Sequence, residues 1–396
     1  MFDLAKVQSA LRDFQFDGWL LYDFRGSNIL ARRILGLDGK PIGSRRFFYW
    51  IPAKGTPRKL VHRIEDSALD SLPGDKTIFL TWQELESAVG QCVSGSAAVA
   101  MEYSPRNGNP YVSKVDAGVV ELVKSFGCDV QSSGDIVQLF EATLDDDQIA
   151  THHEAATHTN SAYDLAWKFI ADAIRKDGGV SEAAVRDKIM EHFAANSMTT
   201  YSPPIVGRNE HSGLPHYETG HGTDTTIRAG DFVLIDLWAK LKKPNAVYSD
   251  LTRTGYVGET VPEKYTKIFN IVAAARDAGI AMVQEAFANR KIIRGFEVDN
   301  AVRKVIADAG YGQYFVHRTG HNIGRETHGN GAHIDGLETR DDRRLLPRTC
   351  FSIEPGIYLP EFGVRSEINI LIDGAGKVHV TGGDLQTEVV PILAKY

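Results

Sequence analysis

The sequence is poor in cysteine. Its 396 residues carry only Cys92, Cys128 and Cys350, odd in number and far apart. That count excludes a disulfide framework and a thiolate metal site, and suits three small buried hydrophobes in a reducing compartment. Long apolar runs are missing as well: nothing approaches the roughly 18 residues of a membrane-spanning helix. Residues 1–14 carry acidic and amphipathic positions in place of a signal-peptide core, so a cytoplasmic location is expected. Basic tracts are absent and the formal net charge is -7, which argues against a nucleic-acid or anionic-membrane partner. No internal repeat or low-complexity tract is evident. What remains, 43% hydrophobic and 24% charged residues, is an ordinary globular composition over a length that accommodates two domains.

An opening helical pattern leads into the apolar run Gly18 to Tyr22, and further strand-like runs follow at Phe47 to Ile51, Thr77 to Leu80 and Ala97 to Met101. Helical stretches, such as Val119 to Phe126, alternate with them, which predicts an α/β domain over residues 1–145. No catalytic constellation is found in it. Asp145, Asp146 and Asp147 then crowd the start of a helical segment reaching about Lys176, where acids complement the helix dipole. A second domain, 146–396, is expected from there. After Gly179 it reads as hairpins punctuated by Gly and Pro, with helices near Glu182–Ala195 and Glu263–Ala288, an α+β texture.

Asp236 lies in the middle of the apolar run Phe232 to Trp238. A buried carboxylate needs a partner, and taken alone Asp236 reads more readily as half of an ion pair than as a metal ligand. Asp250 changes that balance. It sits in a second strand-like run, and a turn centred at Lys243 would place it opposite Asp236, with Cβ atoms about 5 Å apart. The pattern recurs downstream: Glu354 and Glu367 are symmetric about the turn sequence Pro360 to Gly363. Between the two pairs comes Gly320-His321-Asn322-Ile323-Gly324, where glycine lets backbone approach closely around an imidazole. Four acids and a histidine suit Mn²⁺, Co²⁺, Fe²⁺ or Zn²⁺. Two divalent ions balance four carboxylates where one would leave the site negative, so a two-metal centre is expected, with the choice among these four metals open.

These segments resemble the pita-bread metallopeptidases, in particular the prolidase and aminopeptidase P branch, whose ligands run Asp, Asp, His, Glu, Glu in this order. The likeness is carried by Leu234-Ile235-Asp236, Ser249 to Thr254, Gly320 to Gly324, Ile353-Glu354-Pro355-Gly356 and Arg365-Ser366-Glu367. It is strong from about residue 149 onward and weaker over the first 145, which look like the creatinase-type N-terminal domain. It implies that Asp236 and Asp250 hold one metal and that His321 and Glu354 hold the other, with Asp250 and Glu367 bridging. It also implies hydroxide generated on the metals as the nucleophile, Glu354 as proton shuttle, and His328 and His216 as donors to the carbonyl oxygen. His317 and Arg365 would orient ligands or meet the substrate carboxylate. The implied reaction is cleavage of Xaa-Pro dipeptides, with an Xaa-Pro aminopeptidase as the first alternative. A metal-free creatinase-like amidinohydrolase and a non-catalytic binding module are further alternatives, both disfavoured by intact ligands. Relatives are commonly homodimers in which the N-terminal domain covers the partner's site, so a homodimer is expected.

Three departures from the family pattern concern the pocket: Asn322 within the Gly-His motif, Gly329-Asn330-Gly331 after His328, and the charged run Glu338 to Arg344. Four other histidines read as surface. His153 and His158, five residues apart, diverge around a helix and cannot chelate one ion. His211 and His221, in a polar, Gly-rich neighbourhood, are expected on loop surface, with gating or substrate contacts as the alternative. Asp373 to Gly376 reads as a hairpin turn and not a phosphate loop.

Overall fold

The structure is a computed structural model that describes residues 2–220, 222 and 224–396. It divides into two compact units, Met1–Glu141 and Ala142–Tyr396. The expected boundary after residue 145 falls four residues late. Residues 142–145 belong to the second unit because Leu144 is buried there and its N–H donates to the Arg348 carbonyl at 2.7 Å.

The N-terminal unit is built on six strands: β1 (Gly18–Asp23), β2 (Phe47–Pro52), β3 (Arg58–His62), β4 (Asp75–Phe79), β5 (Ala98–Met101) and β6 (Asp129–Ser132). They lie in the order β4-β3-β2-β1-β5-β6, with β1, β5 and β6 mutually parallel and β1–β2 antiparallel. All six residues of β1 are buried, as a central strand with helices on both faces requires. The expected α/β domain is present, with strand ends within two residues of their sequence-based positions.

The second unit opens with the helix Asp146–Asp177, which Asp145 caps through a reciprocal pair with Gln148. Two antiparallel strands, Phe232–Leu241 and Ser249–Tyr256, form its long hairpin and pack against that helix through Ala155, Ala162, Tyr163, Ala166 and Trp167. A second layer comes from Cys350–Ile353, Ile368–Ile372 and Val378–Thr381 in one sheet, and from the short hairpin Gly356–Tyr358 with Gly363–Arg365. Helices Glu263–Ala288 and Gly295–Asp308 cover it. Asp373 does close a hairpin turn, with its N–H donating to the Lys377 carbonyl.

One register differs from expectation. Asp236 faces Thr252, and Asp250 faces Trp238. The turn Lys243 to Ala246 is centred later than Lys243, and Val247 and Tyr248 leave the ladder to donate to Thr151 Oγ1 and the Gly324 carbonyl. The slip is two residues, so both carboxylates stay on one face as diagonal neighbours, about 7 Å apart at Cβ for this geometry. The second pair keeps its expected register: Ile353 faces Ile368 and Gly356 faces Arg365, which puts Glu354 and Glu367 at one level where the two ladders break.

Candidate metal centre

The strand alternation that buries Phe232, Leu234 and Trp238 turns Asp236 onto the same face, towards the breaks that carry Glu354 and Glu367. A bridge between Thr252 and Glu367 joins the two hairpins at that point, reinforced by Thr252 Oγ1 donating to Glu367 Oε2 at 2.7 Å. His321 comes in from a third segment. Its N–H donates to Ser352 Oγ at 2.9 Å, and a Cβ on Gly320 would lie 2.0 Å from the Ser352 carbonyl oxygen, so only glycine permits this approach.

Asp250, His321 and Glu367 offer ligand atoms that all lie within 4.8 Å of one another. His321 Nε2 lies 3.5 Å from Asp250 Oδ2 and 3.3 Å from Glu354 Oε1. Asp236 is held differently: Oδ2 pairs with Arg365, while Oδ1 is buried with no hydrogen-bond partner. Arg365 also donates to Tyr358 OH at 2.8 Å and Thr252 Oγ1 at 3.1 Å. The ion pair of Asp236 is therefore present, on one oxygen, and Asp236 stands outside the Asp250–His321–Glu367 group.

The electrostatics are those of a site short of positive charge. Burial pushes Asp250 and Glu367 well above the usual carboxylate range, and the neighbouring acids add to it. Burial also raises Asp236, against the pull of Arg365, and lifts Glu354 to about 7. Burial and His328 hold His321 well below its ordinary value, leaving a neutral imidazole free to ligate. Three buried acids and the partly exposed Glu354 crowd around Arg365, one oxygen of Asp236 is left without a donor, and cations are the remedy that chemistry supplies. The residues fit divalent metal.

A cavity of about 540 Å³ opens on this cluster. His216, His317 and His328 line it, together with Asp236, Asp250, His321, Glu354, Arg365 and Glu367. His328 stands edge-on to His321 at 4.2 Å between ring centroids, and burial lowers its pKa to about 4. His317 is lowered to about 3 by burial and by Arg365; its Nε2 meets Tyr358 OH at 2.6 Å and its Nδ1 the Arg318 carbonyl at 2.7 Å. Every sequence-based candidate thus reaches one cavity.

The departures prove to be linked. Asn322 donates to the Cys350 carbonyl and accepts from Gly331 N–H at 2.9 Å. A Cβ on Gly329 or Gly331 would lie 2.3 or 2.6 Å from the Asn322 side chain, so the larger residue in one motif requires the glycines of the other. The charged run folds on itself, with Asp341 bound by Arg343, and delivers Glu338 to the cavity wall.

The structure corrects one histidine. His211 is not free loop surface: its Nδ1 donates to the buried Glu182 at 2.9 Å and its ring stacks on Tyr217. His153 is exposed, as expected, whereas His158 is half-buried against His192. His221 lies outside the described residues. The three cysteines are free and buried. Sequence reading missed Trp238, Tyr201, Thr252 and Tyr358. Trp238 carried a usable signal, since it lies two residues from Asp236 on one strand and so shares its face. Tyr358 carried none.

Residues 150–374 match the model of metallopeptidase family M24. Over 352 residues the chain is 28% identical to a probable dipeptidase PepE of Mycobacterium tuberculosis, a match covering 86% of this chain and 85% of that one. It is 32% identical over 232 residues to an Xaa-Pro dipeptidase of Lactobacillus delbrueckii subsp. lactis, covering 58% of each. The crystal structure of dipeptidase PepE from Mycobacterium ulcerans superposes with a TM-score of 0.66 at 22% identity, over 98% of this chain and 96% of that one. With more than half its length matched by the family model and an acid–histidine cluster where a metal fits, the chain belongs to metallopeptidase family M24, metal-dependent peptidases of the pita-bread fold.

Proposed function

We propose that this peptidase is a prolidase, which hydrolyses the bond before proline in Xaa-Pro dipeptides with two divalent ions, Mn²⁺ first among them, held by Asp236, Asp250, His321, Glu354 and Glu367. The observation that carries the reading is the convergence of these five residues on one cavity of about 540 Å³, a size suited to a short peptide. The naming of relatives as dipeptidases and Xaa-Pro dipeptidases supports the substrate class.

Bound divalent ions would acidify a water and polarise the scissile carbonyl. Glu354 takes the proton at Oε. His328 and His216 donate to the carbonyl oxygen as its charge grows; with a pKa near 4, His328 does so as a neutral imidazole N–H. Arg365 braces Asp236, and the His317–Tyr358–Arg365 chain holds that guanidinium in place. The N-terminal unit contributes none of these residues, and a cytoplasmic homodimer is part of the same proposal.

Hydrolysis of Xaa-Pro, Xaa-Pro-Yaa and proline-free dipeptides, after chelation and re-addition of Mn²⁺, Co²⁺ or Zn²⁺, tests the reading. Fastest turnover is expected on Xaa-Pro with Mn²⁺. Faster cleavage of Xaa-Pro-Yaa would make the enzyme an aminopeptidase, and indifference to proline would remove the prolidase assignment.

A further inference from the structure

His216 reaches the cavity from residues 208–225, a stretch that leaves the strand Ile205–Arg208 and whose regular structure beyond it, among the described residues, is a single 3-10 segment, Asn209–Gly213. Such a segment needs an external brace to present a side chain reproducibly. One carboxylate meets it at both ends. Glu182, the first residue of the helix Glu182–Ala195, is completely buried. Its Oε1 accepts from the backbone N–H of Arg208 at 2.8 Å, and its Oε2 from the backbone N–H of Thr225 at 3.2 Å. Between those ends, Oε2 accepts from Tyr217 OH at 2.8 Å, and His211 Nδ1 lies 2.9 and 3.1 Å from the two oxygens. The His211 ring stacks on Tyr217 with centroids 4.3 Å apart, and Tyr217 is the residue next to His216.

An acid in the first turn of a helix ordinarily faces solvent and answers the helix dipole. Glu182 does more, since an ionised carboxylate has about four lone-pair sites and donors from positions 208, 211, 217 and 225 occupy them. We infer that Glu182 is a positioning residue: it clamps both ends of the 208–225 segment and, through Tyr217, fixes His216 against the substrate. The inference rests on the place given to His216 above and not on the choice of proline substrates.

The test is a double-mutant cycle on the metal-loaded enzyme, run on whichever dipeptide the wild type cleaves fastest, so that failure of the Xaa-Pro reading leaves it intact. Glu182→Gln keeps the shape but places an amide against donors it cannot satisfy. It is expected to lower kcat about tenfold or more with KM changed less than about threefold. In a His216→Ala background the same substitution is expected to change kcat less than about twofold, because the group it positions is gone. Multiplicative losses in the double variant overturn the clamp while leaving His216 its role. A fully active His216→Ala removes both, and wild-type kcat in Glu182→Gln overturns the clamp outright. Should thermal melts show Glu182→Gln unfolded, Tyr217→Phe replaces it in the cycle: it deletes one donor, keeps the carboxylate, and is expected to lose about threefold in kcat, again only when His216 is present.

Discussion

Both units of the molecule bury acid, with opposite results. In the N-terminal unit Glu102 is completely buried, yet its oxygens accept from Trp19 Nε1 at 2.5 Å, Asn28 Nδ2 at 2.6 Å and Ser133 Oγ at 3.1 Å. Burial raises it to about 7. In the second unit Glu354 is lifted to the same value, but it stands among three other acids, one of which keeps an oxygen without a donor. Neutral donors and one proton accommodate a solitary buried acid. They cannot accommodate four that repel one another, and that cluster is stable as charge only with cations in its midst. The depth of burial does not separate a structural acid from a functional one; its neighbours do.

Breaking the cluster should have the largest effect. Asp250→Ala or Glu367→Ala is expected to lower kcat/KM by about 10³-fold or more and to reduce bound metal measured by elemental analysis. Glu102→Gln should leave both within about twofold. A loss of metal in Glu102→Gln, or its retention in both cluster variants, would erase the contrast.

The next test reads Glu102 through stability. Its folded pKa, about 7, lies above the ordinary 4.5, so the folded state holds the proton more tightly than the unfolded one. The associated stability is present in full below about pH 4.5 and is lost as pH rises through about 7, an effect on the order of 3 kcal/mol. Glu102→Gln cannot titrate and should lack that slope. Thermal melts of both proteins between pH 5 and 8 should therefore show the variant gaining on wild type as pH rises; parallel curves would contradict the assignment.

Arg365→Met leaves Asp236 buried without its cation and should lower kcat/KM about 10- to 100-fold, with Arg365→Lys restoring part of it. Equal losses in the two variants would reduce Arg365 to a packing role. The smallest expected effect has an unusual sign. In chelated protein, Asp250→Asn relieves repulsion and should raise Tm by a few degrees, on the order of 1 kcal/mol, while abolishing the gain in Tm that Mn²⁺ gives wild type. A chelated variant that melts below wild type would mean that the acids tolerate one another unaided.

Much of this was legible in the amino acids alone. Helices at Glu182–Ala195 and Glu263–Ala288, and the helix start marked by Asp145, Asp146 and Asp147, follow local signals and stand where the sequence puts them. The Glu354–Glu367 register was readable because a short turn links two strands with few residues to spare. The Asp236–Asp250 register was not, since Val247 and Tyr248 answer to Thr151 and Gly324, residues remote in the chain. The tie between Asn322 and the two glycines, and the pairing of His211 with Glu182, were invisible for the same reason.

The sequence by itself determined which groups carry the chemistry: acids set in apolar strands, and a histidine between glycines, are costly unless something cationic answers them. Only the tertiary structure decided how they are answered. It brought Arg365 to one oxygen of Asp236 and left the other bare, and it gathered one segment around Glu182. Those choices depend on contacts more than a hundred residues apart in the first case and some thirty to forty in the second, and local propensity carries no record of such distances.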